Sequence, residues 1–96
     1  MKVRKSLLTS DMKTCYITGR KDNIHIHEVF YGNANRKKSI EYDCCVPLTA
    51  EYHNISNKGV HFNKALDLKL KKEMQVAFEK LHGHDKFMKV FNRNYL

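Results

Sequence analysis

The chain has 96 residues, a formal net charge of +8 and a pI near 9.5. That length allows one small domain with one modest core, and 42% hydrophobic with 29% charged residues is a globular balance that excludes a disordered chain. No apolar run reaches the length of a membrane span, and so large a cationic surplus favours a polyanion as partner, either nucleic acid or an anionic membrane surface.

Residues 1–13 read as a basic arm, with room for a short strand. Its opening, Met1-Lys2-Val3-Arg4-Lys5-Ser6-Leu7-Leu8, has too short an apolar part for a signal peptide, so a reducing cytoplasm is the expected compartment. The cysteine pattern agrees: three residues, Cys15, Cys44 and Cys45, odd in number and two of them adjacent, do not make a secreted disulfide framework. The sequence has no Cys-x-x-Cys, which excludes an all-cysteine zinc site within one chain; Cys44 and Cys45 read as small buried residues near a strand.

Thr14-Cys15-Tyr16-Ile17 is β-prone, Thr18 to Asn23 is rich in turn residues, and Ile24 to Phe30 is β-prone again, which predicts an antiparallel hairpin of the two runs. On a regular second strand His25, His27 and Val29 share one face, and Ile24, Ile26 and Glu28 the other. Gly32 to Ser39 reads as a polar loop whose adjacent cations Arg36, Lys37 and Lys38 are either a solvated face or a phosphate clamp. Cys45-Val46-Pro47-Leu48 is a short extended piece. Thr49 is placed to cap a short helix, Ala50 to Ser56, broken by Asn57-Lys58-Gly59. Asn63 is a good cap for a long helix, Lys64 to His82, whose apolar positions Leu66, Leu70, Met74, Ala77, Phe78 and Leu81 recur at helical spacing and read as core. Gly83 suits the position after its end, and a last short helix follows, roughly Asp85 to Phe91. His82 and His84 flank Gly83, where a cation favours the helix dipole.

The run His27-Glu28-Val29-Phe30-Tyr31-Gly32, a loop, then Pro47-Leu48-Thr49-x-x-Tyr52-His53 resembles the HNH endonucleases. Gly32-Asn33-Ala34-Asn35-Arg36-Lys37-Lys38-Ser39 and His53-Asn54-x-Ser56-Asn57-x-Gly59-Val60-His61-Phe62-Asn63 are similar to small phage-encoded proteins of that type, the recombination-enhancement nucleases foremost. The resemblance covers roughly Cys15 to Asn63. It implies an α+β fold with a ββα-metal core over residues 14–63, made of a β-hairpin and a short helix, followed by a helical part over 64–96, all in one domain. It also implies metal ligands at His27, His53 and His61, with Asn57 in reserve. Glu28 stands where the family has its water-activating histidine, and a carboxylate can serve there if burial raises its pKa. Neighbours on a regular strand point to opposite faces, so His25, which shares a face with His27, is the other candidate base. The family's middle asparagine has no clear counterpart; Cys44 or Cys45 falls near its place. Many members hold a structural zinc with two Cys-x-x-Cys pairs, and here those places read Cys15-x-x-Thr18 and Thr49-x-x-Tyr52, so no such zinc is expected and a packed cluster must replace it.

The implied activity is hydrolysis of DNA, single- or double-stranded, with one divalent ion, Mg²⁺ or Mn²⁺ with Zn²⁺ as the alternative, on the scissile phosphate. Arg36, Lys37 and Lys38 would hold the flanking backbone. A recombination protein is a further expected partner, and the cytoplasm of a phage's host the expected setting. Two other readings stand beside it: a DNA-binding module that has lost catalysis, and a small phage protein that binds a host protein and uses its histidines for stability.

Overall fold

Pro47 decides which segments pair. The computed structural model describes residues 3–32, 34–55 and 63–96, the side chains of Asn54 and Ile55 excepted. Within it two strands, β1 (Ile24–Glu28) and β2 (Cys45–Thr49), run antiparallel, with Ile24 opposite Thr49, Ile26 opposite Pro47 and Glu28 opposite Cys45. The expected antiparallel pair therefore forms, but the partner of β1 is residues 45–49, not 14–17. Residues 14–17 lie on the outer edge of β2, where the Tyr16 amide donates to the Pro47 carbonyl at 2.8 Å. Proline has no amide hydrogen to return the second bond, so no ladder grows there. The segment turns back instead: Gly19, at φ +77°, donates to the Cys15 carbonyl at 2.9 Å, and the Cys15 amide donates to the Arg20 carbonyl at 2.7 Å. Further along the same edge the arm adds one antiparallel bridge, Ser6 to Cys44, and the Cys45 amide donates to the Lys5 carbonyl at 3.1 Å.

The stretch read as a polar loop contains a helix, α1 (Asn35–Glu41). Buried Ser39 anchors it: its hydroxyl donates to the Phe30 carbonyl at 2.6 Å and accepts the Phe30 amide at 3.1 Å, so one side chain satisfies the backbone just past β1. After β2 comes a single π-helical turn, Glu51–Ile55. The Thr49 hydroxyl, expected to cap a helix here, is buried with no hydrogen-bond partner among the described residues.

The long helix α2 (Lys64–His82) is capped as expected, the Asn63 side chain accepting the Leu66 amide at 3.1 Å. It ends at Gly83, φ +86°, from which α3 (His84–Phe91) begins. Leu70, Met74 and Phe78 form the buried stripe, with Leu66 partly buried against it. Leu81, expected in that stripe, is 65% exposed. The stripe advances by four residues, 70, 74, 78, and its next member is His82, whose ring packs 4.7 Å from that of Phe78. Phe30 joins the helices: its ring lies 4.4 Å from Phe91 and 5.3 Å from Phe87, and Phe87 lies 5.4 Å from Phe78. Gln75, the one buried polar residue of α2, donates to Glu79 at 2.7 Å and to Asn94 at 2.8 Å, and accepts the Tyr95 amide at 2.8 Å. Among the described residues no helix is long and apolar enough to cross a membrane. The whole is an α+β protein.

Candidate functional site

Three histidines meet beside the strand pair. His25 and His27 are two residues apart on β1 and so project to the same side. His53 comes from the π-helical turn that follows β2. Because β2 runs antiparallel to β1, its exit at Thr49 lies by the start of β1, which brings the turn back over the two strand histidines. The Nδ1 atoms of His25 and His53 are 3.2 Å apart, and the ring centroids of His53 lie 5.4 Å from His25 and 5.2 Å from His27. One ring of the close pair donates the shared proton, and the tautomers set which. His27 is 2% exposed, whereas His25 is open to solvent.

These separations suit a metal. Two imidazole nitrogens bound at about 2.0–2.1 Å to one tetrahedral ion stand about 3.3 Å apart, with ring centroids roughly 5 Å apart. His53 meets that spacing with each strand histidine in turn. No group of three or more His, Cys, Asp or Glu residues among the described ones is gathered around a single point. Two further expected ligands, Asn57 and His61, lie outside the described residues.

Glu28 is on the other side of the strand. No bulge interrupts β1, and Glu28 sits opposite Cys45 in register. Its carboxylate lies 3.6 Å from the Arg4 guanidinium and is near enough to Cys45 that burial, seconded by this charge, pushes the thiol up to about 12. Of the loop cations, Arg36 and Lys37 are exposed on α1, whereas the Lys38 ammonium donates to the Val90 carbonyl at 2.7 Å and ties α1 to α3.

Cys15, Thr18 and Thr49 lie together. Burial raises the Cys15 thiol, but the Thr18 hydroxyl and the amides of Thr18, Thr49 and Ile17 outweigh it and hold the thiol below its usual range. Tyr52 packs against the core nearby. A group of hydrogen bonds thus joins two of the chain segments that a zinc would clamp.

A second concavity escaped the sequence reading. Tyr31, whose ring is 5.8 Å from that of His27, forms one wall of a cavity of about 470 Å³ shared with Lys64, Asp67, Lys71, Arg93 and Tyr95. The available signals were Lys64, Asp67 and Lys71 at helical spacing on the first turns of α2, and the pair Arg93-x-Tyr95 beyond α3. Neither is distinctive alone, and only the fold unites them with Tyr31. No family model, curated protein or solved structure matches the chain.

Proposed function

We propose that the chain is a metal-dependent endonuclease that hydrolyses DNA phosphodiester bonds on a ββα-metal core like that of the HNH endonucleases. The observation that carries this reading is the place of His53, within 5.4 Å of the His25 ring and 5.2 Å of the His27 ring, beside the antiparallel pair. The +8 charge supports a polyanionic substrate. In this reading His27 and His53 hold one divalent ion; His61 and Asn57, the other ligands that the resemblance implies, lie outside the described residues. The bound ion supplies a Lewis acid for the scissile phosphate and for the charge on the leaving oxygen. Buried His27 fixes the inner edge of the site, and His53, carried on the π-helical turn, closes it. Exposed His25, on the same side of the strand, takes the proton from the attacking water; Glu28 could do so only if the strand turned. Arg36 and Lys37 contact flanking phosphates without reading sequence.

Nicking of a supercoiled plasmid, screened with Mg²⁺, Mn²⁺ and Zn²⁺ and with chelator, tests the proposal. His53→Ala should abolish metal-dependent nicking while circular dichroism stays native; wild-type turnover in that variant would remove His53 from the site. A second reading, a DNA-binding module without catalysis, is favoured by the engagement of Glu28 with Arg4. It predicts salt-dependent DNA binding and no cleavage with any metal.

A further inference from the structure

We propose that the cavity bounded by Tyr31, Lys64, Lys71, Arg93 and Tyr95 is a subsite for an unpaired nucleotide of single-stranded DNA, next to the histidine cluster. The choice of polymer rests on the nuclease reading; the chemistry of the pocket does not. Its volume, about 470 Å³, falls in the range of small-ligand sites. Lys71 organises it. The Lys71 ammonium lies 4.3 Å from the Tyr31 ring centroid, 5.4 Å from that of Tyr95, and 2.8 Å from the Asp67 carboxylate. One cation thus holds two aromatic rings at the cavity wall while Asp67 neutralises its charge. Burial lowers the Lys71 ammonium, but its bond to Asp67 and the neighbouring phenols outweigh this and keep it charged.

That leaves Lys64 and Arg93, both exposed and with no carboxylate partner among the described residues. Arg93 lies 5.4 Å from the Tyr95 ring centroid, on the rim. Two rings with two uncompensated cations beside them match the way single strands are held, by stacking bases on aromatic faces and threading phosphates past cations. A base in a duplex has both faces stacked already, so it can enter such a cavity only after unpairing. The location adds direction. Tyr31 separates the cavity from His27 by one ring contact, 5.8 Å between centroids, so a strand with one phosphate at the histidines runs directly on to Tyr31.

Fluorescence anisotropy with a labelled oligothymidylate and with a labelled duplex, both in chelator so that no cleavage occurs, tests the proposal. The wild-type protein should bind the single strand more tightly. The double variant Lys64→Gln, Arg93→Gln should lower the magnitude of the log affinity against log salt slope on the single strand by about 1.4, at about 0.7 per cation. Tyr95→Leu, which keeps an apolar side chain against Phe30 and Phe87, should weaken binding roughly tenfold, whereas Tyr95→Phe should not. If Tyr95→Leu fails to fold, the charge variant and Tyr95→Phe still decide. An unchanged slope in the folded double variant, or a duplex bound as tightly as the single strand, overturns the subsite whether or not the protein nicks plasmid. Affinities that fall as described in a protein that cleaves nothing uphold the subsite and remove the nuclease reading.

Discussion

His25, His27 and Glu28 show how much one residue of strand register decides. Side chains alternate along β1, so the two histidines turn toward His53 and the carboxylate turns toward Arg4 and Cys45. A base must come within hydrogen-bond reach of the water it activates. If the chain is the nuclease proposed above, His25→Ala should cut the cleavage rate by about 10²–10⁴ while metal affinity, measured by calorimetry, changes little. Glu28→Gln should be nearly silent, and Glu28→His should restore nothing to His25→Ala. The opposite pattern, a silent His25→Ala and a slow Glu28→Gln, would return the role to Glu28. The alternation itself was legible in the sequence, as were the shared face of His25 and His27 and the helical position of His53. That His53 would lie against His25 as well as His27 was not, because that depends on the partner strand, and Pro47 marks residues 45–49 as a poor candidate for one. Proline is tolerated because its missing amide faces the outer edge, where the Tyr16 amide meets the Pro47 carbonyl.

Among the elements, α2 is the one whose boundaries the chain states most openly. Asn63 and Gly83 bracket it, and three strongly apolar positions at four-residue spacing fix its inner face. Asn63→Ala should lower stability in urea by about 1 kcal/mol, and Asn63→Ser should recover most of it. The shorter α1 has no such signal: Ala34 stands at its N-cap and offers no capping side chain, its cations mask any period, and a single Ser39 buries itself. Contact between elements sets a pH dependence as well. The Tyr16 hydroxyl donates to the Glu73 carboxylate of α2 at 2.8 Å, and burial together with that carboxylate pushes the phenol up to about 12. An unfolded tyrosine ionises near 10. Between those values the unfolded chain has lost a proton that the folded one keeps, so the contribution is complete below pH 10 and lost as pH rises to 12. Urea midpoints across this window should fall less steeply for Tyr16→Phe than for the wild-type chain.

At the scale of the molecule, the core is crossed by a row of rings, Phe30, Phe91, Phe87 and Phe78, that packs the segment after β1 against α2 and α3. Together with the bonds around Cys15, this gives the chain means of folding without a metal clamp. The chain should therefore keep its native circular dichroism spectrum and a cooperative melt in chelator; a single bound zinc whose removal unfolds the chain would contradict this. The same packing explains why α2, α3 and their junction were readable from local pattern, whereas the join between the arm, the strand pair and α1 was not. That join is made by isolated backbone bonds, Cys45 to Lys5 and Tyr16 to Pro47, and by single side chains such as Ser39.

Gln75 carries a consequence for the chain's last residues. Its buried amide spends one donor and its carbonyl on Asn94 and the Tyr95 backbone, so the interior of α2 grips a segment that has no secondary structure of its own. A protease cutting between Asn92 and Tyr95 would first have to strip that buried amide of its bonds. Cleavage there should be slow in the native protein and proceed once α2 loosens, which turns the stretch after Asn92 into a chemical gauge of how tightly the long helix is seated.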